Sequence, residues 1–245
     1  MNSQWKFAAM SGLVGAVAAI VVVYAAATYG LLPANGPAIH EYLMAHPDLV
    51  VAMSNKLQAE QDDADNHASQ VAVDKLGLKA FFDPRVAYIT GPAKAKTTIV
   101  ELFDYNCPYC RQSFPAVQKF YKLHKNDTRF AFIEFPIKGA DSTFAARVAL
   151  AARKQGDKYL ALHFALMNET DHVDANTILA DAQKVGIDMN KLQIDMKGKD
   201  VNLGVTESLA LAQAAKVGGT PFFVVNGKIR PGALDDDTLK QMAKG

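Results

Sequence analysis

The sequence predicts an α/β domain whose sheet is interrupted by an all-helical insertion, set behind an N-terminal membrane segment and an amphipathic helical arm. Three observations predict it. Residues 7–32 run without a single charge. Residues 86–135 read strand, strand, helix, strand; strand signals then stop for about 80 residues and return as strand, strand, helix from residue 221. Half of the 245 residues are hydrophobic and 21% are charged, a globular composition. The expected organisation is residues 1–36 for the membrane segment and linker, 37–80 for the arm, 81–138 with 216–245 for the sheet domain, and 139–215 for the insertion.

The composition excludes several function classes. Lys+Arg 26 against Asp+Glu 25 leaves a formal charge of +1, so no basic excess points to nucleic acid. Two cysteines exclude a disulfide-rich scaffold and a four-cysteine zinc site.

Lys6 precedes the apolar run, and the next charge is Glu41. About 20 apolar residues cross a bilayer as a helix, because every backbone group must find its partner inside the segment. Lys6 on the near side keeps the N-terminus in the cytoplasm and exports the remainder, giving a single-pass membrane protein with its domain in an exported compartment. A cleaved signal peptide is the competing reading: Ala25 and Ala27 form a small-x-small pair, and cleavage would leave a soluble periplasmic protein. The run exceeds the roughly 7–15 residues usual for a signal core, which favours the uncleaved anchor.

After a turn-rich linker, residues 38–45 are short and amphipathic, with Ile39, Tyr42 and Leu43 on one side. Pro47 suits the first position of a new helix, and Asp48 favours its positive end. Val50, Leu57, Ala64, Val71 and Leu78 recur every seven residues, but the companion positions Met53, Glu60, His67 and Asp74 are apolar only once. The coiled-coil seam is therefore weak. Two readings stay open: a solvated helix lying on its own domain, or a homo-oligomerisation arm over residues 38–78.

Residues 86–90 form a short strand stopped by Gly91-Pro92, and residues 97–103 (TTIVELF) a buried strand. Residues 107–125 read as a helix kinked at Pro115. Residues 128–135 alternate Phe130, Phe132 and Phe135 with smaller residues, a second core strand. Helices follow over 142–155, 158–167, 174–185 and 205–215, with Gly156 and Gly186 as caps. Residues 221–225 return to strand, Asn226-Gly227 is a two-residue hairpin signal, residues 228–230 pair back, and 234–243 close as a helix.

The chemistry lies at Cys107-Pro108-Tyr109-Cys110, where a buried strand hands over to a helix. A helix start offers unpaired N–H groups and the positive end of the dipole. A thiolate at Cys107 is stabilised there, with a pKa falling into a range of roughly 3.5–7.5. Cys110, one turn further in, is placed to attack a mixed disulfide formed on Cys107. Pro108 stiffens the first turn. The six histidines show no paired ligand spacing, so zinc is disfavoured. A structural disulfide closing so short a loop would contribute little. Cu(I) on two thiolates is chemically sensible.

The segment Glu101-Leu-Phe-Asp-Tyr-Asn-Cys107-Pro-Tyr-Cys110 resembles the active-site segment of the DsbA-like group of thioredoxin-fold proteins, and more narrowly the exported CPYC proteins related to suppressor-of-copper-sensitivity protein C (ScsC). Thr220-Pro221 before a strand, the helical insertion, and residues 39–61 match the same group. The resemblance implies a thioredoxin fold, with Cys107 as attacking thiolate, Cys110 as resolving thiol and Pro221 as a cis-proline facing them. It also implies a redox-active Cys107–Cys110 disulfide and no cofactor. Thr220 would offer its backbone to an unfolded client as an added strand. Thr220 and Tyr109 stand where strongly oxidising relatives carry other residues, which tilts the expectation toward isomerase or reductase. Glu101 falls where the family has a buried acid; with Val100 and Leu102 on the opposite face, an exposed strand Glu is the alternative.

Substrate binding is expected at Thr220, Tyr109 and Pro108, and clients would be unfolded or misoxidised exported proteins, with a membrane redox partner restoring the cysteines. Asp104 and Asn106 would shape the turn. Phe103, Tyr105 and Phe114 would line a substrate surface or, more ordinarily, the core. His163 is expected to be a packed histidine, and two Asn-x-Thr sequons carry little weight. Two other classes compete: a Cu(I)-binding module using the same cysteines, and a holdase that grips unfolded chains without them.

Overall fold

The computed structural model describes residues 36–244. The expected membrane segment, residues 7–32, lies outside the described residues. Among the described residues no helix is long and apolar enough to cross a membrane. The described residues divide into two compact units, one ending at Glu60 and the other beginning at Gln61.

The first unit carries α1 (Gly36–Ala45) and the opening half of α2 (Pro47–Leu76). No residue of α1 is buried. Val50, Val51, Met53 and Leu57 are all exposed, more apolar surface than a lone helix turns to water without reason. The seven-residue series does not run through one helix. Gly77 takes a left-handed φ of 73° and ends α2, and Leu78 begins a separate turn, α3 (Leu78–Phe81).

The second unit begins at Gln61 and takes in the rest of α2. Ser69 and Val73 are buried there, and the Ser69 hydroxyl donates to the Lys216 carbonyl at 2.7 Å. Five strands form one sheet in the order β1-β3-β2-β4-β5: β1 (Ala87–Thr90), β2 (Thr97–Phe103), β3 (Thr128–Glu134), β4 (Phe222–Val225) and β5 (Lys228–Pro231). β2 and β3 run parallel, joined through α4 (Pro108–His124); the remaining pairs are antiparallel. Parallel neighbours require such a crossover, whereas β4 and β5 need only a two-residue turn. Asn226 and Gly227 supply it with φ of 50° and 85°.

Alternation divides the sheet's residues between two cores. Ile99, Phe103, Phe130, Phe132, Phe223 and Val225 face α4 and the insertion. Val100, Leu102, Ala131, Ile133, Phe222 and Val224 face Val73, Phe81 and Ala212. Phe135 lies past the end of β3 and joins this second core, not the one holding Phe130 and Phe132.

The insertion comprises α5 (Ala140–Ala152), a 3₁₀ turn (Arg153–Gln155), α6 (Lys158–Asn168), α7 (Ala175–Lys184), α8 (Met189–Asp195) and α9 (Lys199–Ala214). The sequence reading missed α8 and the first turns of α9. α8 is seven residues long with a single buried side chain, Leu192, too little to carry a periodic signal. The last helix, α10 (Asp236–Ala243), packs beside α4 and is capped by Asp235.

Gly91 gives a test of the turn between β1 and β2. Its φ is 85°, and a Cβ would overlap the Thr128 carbonyl. Gly91→Ala should cost about 2 kcal/mol or more in urea unfolding. Gly218→Ala, where a Cβ meets open space, should stay within about 0.5 kcal/mol of the parent.

Candidate active site

β2 delivers the chain to the site. Pairing of Leu102 with Phe222 sets β4 antiparallel beside its C-terminal end, which brings Pro221 next to the turn that follows Phe103. The Thr220–Pro221 bond is cis. Residues 104–106 turn, and Cys107 becomes the residue that caps α4, in extended conformation with φ −84° and ψ 118°. Pro108, which has no N–H to leave unpaired, occupies the first helical turn. The Cys107 carbonyl accepts from the N–H groups of Cys110 and Arg111 at 3.1 and 3.2 Å.

The two sulfurs have opposite electrostatic lives. The Cys107 thiol donates to the Thr220 carbonyl at 3.1 Å. Its pKa is lowered to about 5, chiefly because the Cys110 thiol donates to the ionised sulfur. The Thr220 hydroxyl and the N–H groups of Cys110 and Tyr109 add to this, against the cost of burial. The buried Thr220 hydroxyl has no other partner. When Cys107 ionises, its donation to the Thr220 carbonyl ends and this hydroxyl becomes a donor to it. Cys110 is fully buried and is pushed far above the ordinary thiol range. Burial is the main cause; its hydrogen bond to Cys107 and the charge of Glu101 act in the same direction. Both cysteines are free thiols in this structure.

Glu101 lies two residues before the end of β2 and is only 2% exposed, so the exposed-strand alternative is excluded. Burial pushes it up to about 8, and its Oε2 has no partner. As a carboxylate this group can take the Cys110 proton, and as a carboxyl it can return one to the Cys110 thiolate, with which it interacts electrostatically. Tyr109 is 60% exposed and Pro108 is exposed as well, so both present surface beside the buried nucleophile. The structure therefore brings Glu101, Cys107, Cys110, Thr220 and Pro221 together and leaves Pro108 and Tyr109 at the rim.

Phe103, Tyr105 and Phe114 belong to the core and offer no substrate surface. His163 is packed, as expected, and burial lowers its pKa to about 3, so the ring is neutral. The sequence reading missed Glu134. It lies on the face of Phe130 and Phe132 at the end of β3, fully buried, and accepts from the Tyr105 and Tyr159 hydroxyls at 3.1 and 2.9 Å. Burial raises it to about 8, and the two tyrosines hold it from rising further. An acid continuing a strand's core-facing series was the available signal. Among the described residues no group of three or more His, Cys, Asp or Glu could hold a metal ion; the two sulfurs are the pair that suits a soft one.

Residues 98–244 match the model of the DSBA-like thioredoxin domain. The chain is 41% identical to a thioredoxin-like oxidoreductase from Silicibacter pomeroyi DSS-3, over 67% of this chain and 94% of that one, with a TM-score of 0.62. It is 27% identical to the catalytic domain of Proteus mirabilis ScsC, over 71% and 96% of the two chains at TM-score 0.63. BcfH of Salmonella enterica Typhimurium is 27% identical over 94% of this chain and 100% of its own, at TM-score 0.66. Among curated relatives, the Na(+)/H(+) antiporter NhaA 3 of Salinispora tropica is 27% identical over 166 residues. The chain spans about a quarter of the length of that relative, which the match covers to 25%.

Two outcomes follow from these ionisations. Alkylation of the reduced protein by iodoacetamide should rise with pH about a midpoint near 5, and Cys107→Ser should remove that rise. Glu101 has an ordinary value of 4.5, so between there and about 8 the folded chain keeps a proton that the unfolded chain releases. Its contribution to stability therefore falls as pH rises through that window. Glu101→Gln should be more stable than the parent at pH 8, by roughly a few kcal/mol, with a much smaller difference at pH 5 in urea titrations.

Proposed function

The chain belongs to the DSBA-like thioredoxin family, and from that premise we propose that it is an exported thiol–disulfide oxidoreductase acting on disulfides of extracytoplasmic proteins. The observation that carries the reading is the Cys107 sulfur at the start of α4, donating to the Thr220 carbonyl at 3.1 Å, with hydrogen bonds that lower its pKa.

The Cys107 thiolate attacks one sulfur of a client disulfide. A mixed disulfide forms, and the client's other sulfur leaves as a thiolate. Cys110 then passes its proton to Glu101 in its carboxylate form and attacks the Cys107 sulfur, and the protonated Glu101 returns that proton to solvent or to the leaving client thiolate. The client departs fully reduced, and its two gained electrons are matched by the Cys107–Cys110 disulfide. In isomerisation a different client thiolate attacks the mixed disulfide, and Cys107 is regenerated without net electron transfer. No cofactor enters either route. After a net reduction, a membrane reductant must return two electrons to the pair.

The direction we propose is isomerase or reductase. Thr220 and Tyr109 stand where the strongly oxidising relatives carry residues that stabilise the thiolate further. A less stabilised thiolate makes the disulfide a milder oxidant. Exposed Tyr109 and Pro108, with the Thr220 backbone, form the surface where an unfolded or misoxidised client lies. The charge-free run of residues 7–32 supports anchorage in the inner membrane with the domain in the periplasm, or a soluble periplasmic form if that segment is removed. The apolar surface of Val50, Val51, Met53 and Leu57 supports a homo-oligomer formed through residues 38–78, which would offer several nucleophiles to one client.

Insulin reduction and refolding of scrambled ribonuclease test the reading. The parent should catalyse both, Cys107→Ser neither, and Cys110→Ser should accumulate mixed disulfides. Full turnover by Cys107→Ser would overturn it. The equilibrium with glutathione should lie between those of thioredoxin-like and DsbA-like pairs, and a strongly oxidising value would reverse the proposed direction.

A further inference from the structure

We propose that Asp104 and Asn106 are positioning residues for Cys107, clamping the turn that carries it to the helical insertion. The proposal rests on Cys107 being the nucleophile.

Asp104 immediately follows β2 and is 2% exposed. Its Oδ2 accepts from the N–H groups of Ile137 and Lys138 at 2.7 and 2.8 Å. Its Oδ1 accepts from the Asn106 N–H and from the Ser142 hydroxyl, both at 2.7 Å. Four donors thus converge on one buried side chain, from its own turn, from the segment after β3 and from the first helix of the insertion.

Asn106 extends the grip. Its amide captures both backbone groups of Val173, accepting from the N–H at 2.8 Å and donating to the carbonyl at 3.1 Å. The same Oδ1 accepts from Arg111 at 3.2 Å, and Nδ2 donates to the Ser142 hydroxyl at 3.4 Å. Arg111 in turn donates to the Tyr105 carbonyl at 3.0 Å. Every residue between the end of β2 and Cys107 is therefore tied by a polar bond to something beyond the turn. Val173 belongs to the link between α6 and α7, so the ties reach both the first helix and the middle of the insertion.

The chemical reason for such ties lies in what the nucleophile needs. The Cys107 thiolate depends on donors from the Cys110 thiol, the Thr220 hydroxyl and two backbone N–H groups. Hydrogen bonds weaken steeply with misalignment. A turn free to shift by a fraction of an ångström would surrender part of that set, and bonds to a charged group are the costlier ones to lose. The turn makes its ties through polar groups instead of apolar packing, which lets it keep a fixed shape while it holds Cys107 at the client surface.

The test titrates the Cys107 thiolate by its absorbance at 240 nm in the reduced full chain, alongside thermal unfolding and the equilibrium with glutathione. Asn106→Ala and Ser142→Ala should each cut the thiolate population near pH 5 by up to about tenfold, moving the titration upward, and should make the disulfide less oxidising. Asp104→Ala should do so more strongly. Leu239→Ala, a buried residue of α10 away from the turn, should lower thermal stability and leave the titration where it is. Asn106→Ala and Ser142→Ala proteins that fold, lose stability and titrate like the parent would reduce the clamp to a purely structural one and overturn the proposal. Should Asp104→Ala fail to fold, the other two variants decide by the same outcomes. A parent whose Cys107 titrates as an ordinary thiol would overturn this proposal together with the reading it rests on.

Discussion

The site depends on keeping one sulfur charged and a second, three residues along, protonated, although both are buried. Burial alone raises both thiols. The difference comes from burial, which dominates at Cys110, and from which sulfur receives hydrogen bonds. Cys107, at the start of α4, is stabilised by the N–H groups of Cys110 and Tyr109, and it takes the thiol hydrogen of Cys110 as well. Cys110, one turn inside, gives its hydrogen and faces the Glu101 carboxyl. One shared hydrogen therefore lowers the first pKa and raises the second. Any change that lengthens that contact moves both sulfurs toward each other in acidity, and the division between attacking and resolving groups blurs.

The cost is visible in the carboxylates. Glu101 and Glu134 are both buried and both raised to about 8, so each weakens the fold as pH rises from the ordinary carboxylate range. Cys107 works the other way in the reduced protein. Its folded pKa is depressed, so its contribution is present above the ordinary thiol pKa of 9.0 and is lost as pH falls through about 5. The windows overlap between pH 5 and 8, where reduced protein gains from the thiolate what it loses to an acid. Oxidised protein has no thiolate and keeps only the loss. Rising pH in that interval therefore favours the reduced form, relative to a dithiol of ordinary acidity. Glu134 differs from Glu101 in having two tyrosine donors, which makes it a tie between β3, the active-site turn and α6.

Much of this was legible in residue order. The Val/Ile-rich run TTIVELF had to be a strand, and Asn226-Gly227 had to be a hairpin turn, because few other residue pairs accept positive φ twice. Two cysteines directly after a buried strand declared the chemistry. Glu101 could be read as buried only through a family likeness, since alternation says which face a residue takes and not whether that face is covered. The tyrosine partners of Glu134, and the bonds of Asp104 and Asn106 with Ser142 and Val173, were not legible: these partners lie up to 67 residues away and carry no spacing rule. α8 escaped because one buried leucine makes no period. The heptad series misled in the opposite sense, because a seven-residue spacing does not notice a glycine that ends the helix beneath it.

An open sheet edge is a template on which another chain can pair. β5 is one edge, and its exposed side is met by Gln70 of α2, whose amide donates to the Gly227 carbonyl at 2.9 Å and accepts from the Ile229 N–H at 3.0 Å. Pro231, at the end of β5, has no N–H to offer. β1 is the other edge, and Arg153 donates to the carbonyls of Ala87 and Pro84 there. Both edges are thus met by a long polar side chain, Gln70 from α2 and Arg153 from the 3₁₀ turn, which satisfies backbone groups without extending the sheet. The helix that blocks β5 also anchors, through Ser69, the Lys216 carbonyl four residues before Thr220. The second half of α2 therefore has two tasks: it closes the edge where strand addition would be damaging, and it braces the segment leading to the residue that faces the nucleophile.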